Sequence, residues 1–265
     1  MAQRAFDVIA FDGDDTLWHN ERSYRAGRER FRHILAAAGV KLSVTAVERH
    51  ISRTEVDNIQ YYGYGISSFV LSLLETSIEL SGGRIIGRDL RGLIELARDM
   101  VTEPVEVFEP AAAVLAELAE THPLMLVTKG DLLHQRSKLD RSGLDRFFRY
   151  VEVVSHKTPA VYRSIFTRHQ IEPARFLMVG NSMRSDVLPV VAAGGWAVHV
   201  PAALTWSHEH ARATRGQKRR YFEVSSLSGL MEAIERLNRG AEPRATRIRP
   251  TGRRPVRPRA AARRR

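Results

Sequence analysis

The feature that most constrains this chain is a recurrence of short apolar runs separated by helical patterns. Runs at 6–11, 124–127, 151–154, 176–179, 197–200 and 221–224 are four to six residues long and read as buried parallel strands. Helical patterns lie between most of them: 111–120, a segment after Asp131, 185–193 and 227–237. Another opens at Thr158-Pro159, a capping residue followed by Pro at the first helical position. Strands alternating with helices form βαβ units, so the expected fold is α/β, a doubly wound parallel sheet.

Residues 20–103 interrupt that alternation. A helical stretch over 24–38 ends at Gly39, and 44–59 reads as a second. Ile66, Phe69, Val70, Leu73, Leu74 and Ile78 follow helical spacing and stop at Gly82-Gly83. Leu90, Leu93, Ile94, Ala97 and Val101 form a fourth stripe. The expected organisation is a core of residues 1–19 and 104–238, an all-helical insert over 20–103, and a tail over 239–265.

The tail accounts for the charge. The net charge is +11, but residues 239–265 hold eleven Arg and a single acid, Glu242, which leaves the remainder at +1. With four Pro and almost no large apolar residues, the tail lacks the means to order itself and is expected to be a disordered, solvated extension. Its charge also suits weak, salt-sensitive contact with nucleic acid or an acidic partner. The chain has no Cys, which excludes disulfides, a thiolate metal site and a Cys nucleophile. The longest apolar-looking stretch, 187–204, is broken by Pro189, Gly194, Gly195, His199 and Pro201, so no membrane span is expected. The N-terminus leads into a strand rather than a signal segment, and a soluble, cytoplasmic protein is the expectation.

The chemistry gathers at strand ends, where open α/β sheets bind ligands. The first strand runs into Asp12-Gly13-Asp14-Asp15-Thr16. Three carboxylates in four positions repel one another unless a hard cation with oxygen ligands holds them. A carboxylate can attack phosphorus, and a second one two residues on can exchange a proton with the leaving oxygen. Later strand ends bring Thr128-Lys129-Gly130-Asp131, then Lys157-Thr158-Pro159, then Gly180-Asn181-Ser182 through Asp186. A nucleophile, a hydroxyl, a cation and an acidic loop thus occupy consecutive strand ends.

These four motifs, in this order, resemble those of the haloacid dehalogenase-like (HAD) hydrolase superfamily over residues 5–235. The helical insert looks like that family's C1 cap, a lid over the active site. The resemblance implies a Mg²⁺-dependent phosphatase acting on a small phosphorylated metabolite through an aspartyl-phosphate. Asp12 would be the nucleophile, Asp14 the acid and base, Thr128 the phosphate-orienting hydroxyl and Lys157 the balancing cation. The resemblance assigns Mg²⁺ to Asp12, the backbone carbonyl of Asp14, Asn181 and Asp186. One departure stands out: Asn181 occupies a position where phosphatase members commonly carry an acid, which removes one negative charge from the metal site. Substrate-binding candidates are Thr16, Trp18, Thr128 and Lys129, with Tyr61, Tyr62 and Tyr64 at a Gly-flanked junction.

Other residues read as structural. Arg22, Arg25 and Arg28 are expected on a solvated basic helix face, His156 and His199 as structural, and Trp196 and Trp206 as packing. Two alternatives stand beside the phosphatase. Dehalogenases of the superfamily lack an acid two residues after the nucleophile, because halide leaves without a proton; Asp14 argues against that chemistry. A catalytically weak binding protein, using cap and tail as surfaces, draws on Asn181 alone. The oligomeric state is not legible in the sequence.

Overall fold

The computed structural model describes residues 5–238; the Arg-rich tail expected over 239–265 lies outside the described residues. Six parallel strands form one sheet: β1 (Val8–Phe11), β2 (Leu124–Lys129), β3 (Phe148–Val154), β4 (Phe176–Gly180), β5 (Trp196–His199) and β6 (Tyr221–Glu223). Their spatial order is β3-β2-β1-β4-β5-β6. The chain winds outward from β1 in one direction and from β4 in the other. The carboxyl end of β1 therefore lies where the winding reverses, the crevice in which such sheets bind ligands. Phe11, the last residue of β1, is in register with Leu126 on one side and Val179 on the other; β4 runs on to Gly180 and β2 to Lys129.

Alternation along the strands builds two cores. Ile9, Phe11, Leu126, Leu177 and Val179 face a layer containing α5 (Ala111–Ala119) and α9 (Leu230–Asn238). Val8, Ala10, Met125, Val127 and Met178 face the opposite layer, packing on Tyr162, Ile165 and Phe166 of α7 (Pro159–His169). Both faces are covered, which is why the strands read as continuous apolar runs. Local signals set the helix starts. Thr158 caps α7 by accepting the Val161 N–H at 3.2 Å, with Pro159 first in the helix. Asp131 does the same for α6 (Leu132–Ser142), accepting from His134 N–H at 3.2 Å. The helix expected over 185–193 divides into a π-helical turn at Met183–Val187 and a short α8 (Leu188–Ala192). The wider turn lies directly after the functional loop of β4, a frequent place for such bulges.

Between β1 and α5 the chain forms four helices: α1 (Glu21–Ala37), α2 (Val44–Tyr62), α3 (Ile66–Ser81) and α4 (Gly87–Thr102). They enclose a third core around Phe31, Leu35, Ile51, Leu73 and Leu93. Two stripe expectations need correction. Ile78 is exposed, and in α4 so are Ile94 and Val101; the buried face is Leu93, Leu96 and Met100. That face also follows helical spacing, but α4 packs mainly on α1 and α3, so its stripe is narrower than its apolar content suggests.

Candidate active site

After Phe11 the chain turns back on itself. Gly13 O accepts the N–H groups of Thr16 (3.2 Å), Leu17 (2.8 Å) and Trp18 (3.3 Å). A Cβ on Gly13 would run into the Trp18 ring, so glycine is required for this close approach. Asp15 sits in the left-handed region (φ 58°), which Asp tolerates. Its carboxylate accepts the N–H of Asn20 at 3.0 Å and of Glu21 at 3.1 and 3.2 Å, so the third acid of the motif caps α1. Burial pushes its carboxyl up to about 6.

Asp12 is buried between the ends of β2 and β4. Its Oδ1 accepts from Lys157 Nζ at 2.5 Å and its Oδ2 from Thr16 Oγ1 at 3.2 Å. Lys157 Nζ also donates to Asp186 Oδ1 at 2.7 Å. One buried ammonium thus joins the carboxylates of the first and fourth motifs, and that pair raises the Lys157 pKa above its ordinary range even though burial opposes its charge. Asp186 Oδ2 accepts the Ser182 N–H at 2.9 Å. The Asp186 carboxylate folds so closely over the β4 terminus that a Cβ on Gly180 would overlap it. Asn181 N–H donates to Thr16 Oγ1 at 3.0 Å, and His199 Nε2 lies 3.0 Å from Asn181 O, fixing the loop from both sides.

Asp14 points away from Lys157. Its Oδ1 accepts from Trp18 Nε1 at 2.7 Å and from Lys138 Nζ; its Oδ2 accepts from Gln135 Nε2 at 2.9 Å. Burial works against its charge, but Lys138 and these hydrogen bonds outweigh it and hold the carboxyl below its usual range. Gln135 Nε2 also lies 3.1 Å from Thr128 Oγ1, which links the second motif to Asp14. The sequence reading missed Gln135 and Lys138. They lie three residues apart on α6, one face of the helix capped by Asp131, and that spacing was the available signal.

Several expected substrate contacts move. Trp18 is fully buried beneath the loop and does not line the cavity; it positions Asp14. Thr16 likewise braces Asp12 and the Asn181 loop. Tyr61 and Tyr62 are 72% and 55% exposed and neither reach the cavity nor pack the insert on the core. They occupy the last turn of α2, whose inward positions there are Asn58 and Ile59. Tyr64 does line the cavity, and its ring covers Lys129 Nζ at 3.9 Å. Lys129 is committed to Ser185 Oγ (2.9 Å) and to the carboxylate of Glu209, a third residue the sequence reading missed. Burial disfavours the charge on Glu209, yet Lys129, Ser182 and Ser185 draw its carboxyl down to about 2. Trp206 lines the cavity rather than serving only as packing, while Trp196 stacks on Phe222. Arg28 is not on a solvated face: its side chain is 13% exposed, pairs with Glu21 and Glu55 and lines the cavity.

Asp12, Asp14, Thr128, Lys157, Asn181 and Asp186 border one cavity of about 130 Å³ between the strand ends and the helical insert. The donors on its floor suit a hard divalent cation. Burial, together with Asp186 and Asp14, pushes the Asp12 carboxyl up to about 7 against the pull of Lys157, and two buried carboxylates share that single ammonium. Asp12, Asp186 and the Asn181 amide offer oxygen ligands. Among the described residues no three His, Asp or Glu side chains gather as a metal cluster, in keeping with Asp14 being turned to Lys138.

The geometry has counterparts. The model of the haloacid dehalogenase-like hydrolase family matches residues 6–194. A haloacid dehalogenase-like family hydrolase from Xanthomonas campestris is 36% identical, with a TM-score of 0.79, and the match covers 90% of this chain and 94% of that one. The fold is shared with the hydrolase YfnB of Bacillus subtilis bound to magnesium (17% identity, TM-score 0.61, 88% and 99% covered). It is also shared with a 2-haloacid dehalogenase of Pseudomonas syringae (20% identity, TM-score 0.60, 88% and 99% covered). Further neighbours include a predicted phosphoglycolate phosphatase of Haemophilus somnus and another dehalogenase. Comparison with the curated proteins by sequence finds no match. With its first motif directly after β1, its fourth after β4 and a family match across most of the chain, this protein belongs to the haloacid dehalogenase-like hydrolases.

Proposed function

We propose that this hydrolase is a Mg²⁺-dependent phosphatase that cleaves a small phosphate monoester through an aspartyl-phosphate. The observation that carries the reading is Asp14: a carboxylate two residues after the nucleophile, fixed by Trp18, Lys138 and Gln135 at the edge of the cavity. An alkoxide needs a proton to leave and a halide does not, so this group has work in a phosphatase and none in a dehalogenase.

Asp12 attacks phosphorus as the ester oxygen departs, and Lys157 balances charge on the transferring group. Thr128, its hydroxyl held toward Gln135 Nε2, orients one phosphoryl oxygen. Asp14 gives the leaving oxygen its proton and later takes one from the water that hydrolyses the acyl phosphate. Without substrate, Lys138 and its neighbours favour the ionised Asp14. An arriving phosphate dianion opposes this, since a second negative charge beside Asp14 favours its protonated form. Asp12, Asp186, Asn181 and the Asp14 carbonyl would hold Mg²⁺, which supplies Lewis-acid stabilisation of the phosphoryl oxygens. A cavity of about 130 Å³ suits a small leaving group.

The test is phosphate release from p-nitrophenyl phosphate and phosphorylated metabolites, with Mg²⁺ and with chelator, for the wild type and Asp12→Asn. Metal-dependent turnover that falls at least 10³-fold in the variant is expected. Halide release from a 2-haloacid, with no phosphate release, would overturn the reading.

A further inference from the structure

The helical insert walls the leaving-group side of the cavity, and its charges there do not balance. Arg28 on α1 donates through Nη1 to Glu21 Oε1 at 3.2 Å. Through Nη2 it donates to both oxygens of Glu55 on α2, at 3.0 and 2.7 Å. A single guanidinium serves two carboxylates, and all three side chains are largely buried and border the cavity. Burial pushes the carboxyls of Glu21 and Glu55 up despite Arg28. Most other charges of the cavity have a partner where they stand. Asp14 has Lys138, and Glu209 has Lys129. Asp12 and Asp186 share Lys157 and the cation they would hold. Asp15 and Asp131 accept backbone N–H groups at the starts of α1 and α6, where the helix dipole offsets a negative charge. Burial lowers His134 to about 4, so it adds no charge at neutral pH. On the insert side of the cavity a net negative charge is left at the Arg28 triad, offset only in part by the α1 dipole at Glu21.

Ligand-ready groups lie beside it. Ser68 on α3 is 5% exposed and lines the cavity, and its hydroxyl has no hydrogen-bond partner among the described residues. The Tyr24 hydroxyl likewise has none, and its ring packs edge-on against Phe69 at 4.9 Å to complete an aromatic wall. We propose that the leaving group taken by this cavity carries a protonated amine, which makes the substrate the phosphate monoester of a small amino alcohol. An ammonium restores neutrality at the triad and donates to a Glu21 oxygen that Arg28 leaves free; the nearby Phe69 ring already faces the Arg28 guanidinium, 5.7 Å from its centroid. A second anionic group, carboxylate or phosphate, meets a cation whose charge Glu21 and Glu55 already outweigh; the Arg28 Nε–H alone is left without a partner among the described residues. The inference rests on the phosphatase reading above.

The experiment compares three esters of similar size: phosphoethanolamine, 2-hydroxyethyl phosphate and phosphoglycolate, whose leaving groups are cationic, neutral and anionic. Each is assayed with Mg²⁺ beside p-nitrophenyl phosphate. The expected order of kcat/KM is amine, then hydroxyl, then carboxylate, with at least tenfold between the first two. In Glu55→Gln, Arg28 keeps Glu21 as partner and the triad becomes neutral, so the amine-to-hydroxyl ratio should collapse toward one. Phosphoglycolate as the best ester, or an amine ester no better than the hydroxyl ester, overturns the inference and leaves the phosphatase standing. A wild-type preference for the amine that survives intact in a folded Glu55→Gln protein overturns the role of the triad. No turnover of any ester, p-nitrophenyl phosphate included, overturns the phosphatase reading and the inference with it.

Discussion

Asn181 is the residue at which this site departs from the pattern its motifs resemble, and its surroundings show what the departure costs. Its backbone is held by Thr16 and His199, while its side-chain oxygen has a long 3.5 Å contact from Thr16 Oγ1. An amide oxygen remains available to a cation, but without the charge of a carboxylate. Asn181→Asp adds that charge beside Asp12 and Asp186, and the expected result is Mg²⁺ binding tightened about tenfold, read by titration calorimetry. Unchanged affinity would place Asn181 outside the metal's ligands. The catalytic-motif side chains Asp12, Asp14, Thr128 and Lys157 were legible because each follows an apolar strand. Lys138, Gln135, Glu209 and the Arg28 triad were not. A helix residue is aimed at a site by where its helix docks, and a single sequence does not state that docking.

At the scale of elements, the segment after β5 carries a lesson of its own. Its short turn at Ser207–Glu209 lays Glu209 across the fourth-motif loop, where Ser182 Oγ and Ser185 Oγ donate to Glu209 Oε2 at 2.5 and 2.6 Å. Lys129, at the end of β2, completes the clasp under the Tyr64 ring. This has a consequence for stability. Because Lys129 and the two hydroxyls draw the Glu209 carboxyl down to about 2 from an ordinary 4.5, the ionised form stabilises the fold. That contribution, about 3 kcal/mol, is present above the unfolded value and is lost as pH falls from about 4.5 through about 2. Glu209→Gln should therefore lose less stability than wild type over that window, as denaturant midpoints would record. Parallel pH curves for the two proteins would sink the assignment. Helix starts at Thr158-Pro159 and Asp131 were readable from local chemistry. The inward face of α4, the π-turn after β4 and the outward tyrosines ending α2 were not, because tertiary neighbours chose them.

For the whole molecule, charge and architecture separate. No helix among the described residues is long and apolar enough to cross a membrane, and the surplus positive charge belongs almost entirely to 239–265. We therefore expect any affinity for nucleic acid to be weak, to fall steeply with salt and to vanish on deletion of 240–265, as filter binding at two salt concentrations would show. Binding that survives the deletion would assign it to the near-neutral body. The alternation of apolar runs and helical patterns was enough by itself to determine a doubly wound sheet, since strands covered on both faces must be apolar throughout. It also determined where along the chain the reactive groups fall, because ligand chemistry collects at strand ends. What only the tertiary structure decided is how those groups are paired. It joined Asp12 to Asp186 through Lys157, turned Asp14 to Lys138, and set two glutamates of the insert against one arginine. Such pairings follow from distances between elements far apart in sequence. Burial then fixes their strength, and neither distance nor burial is written in local residue order.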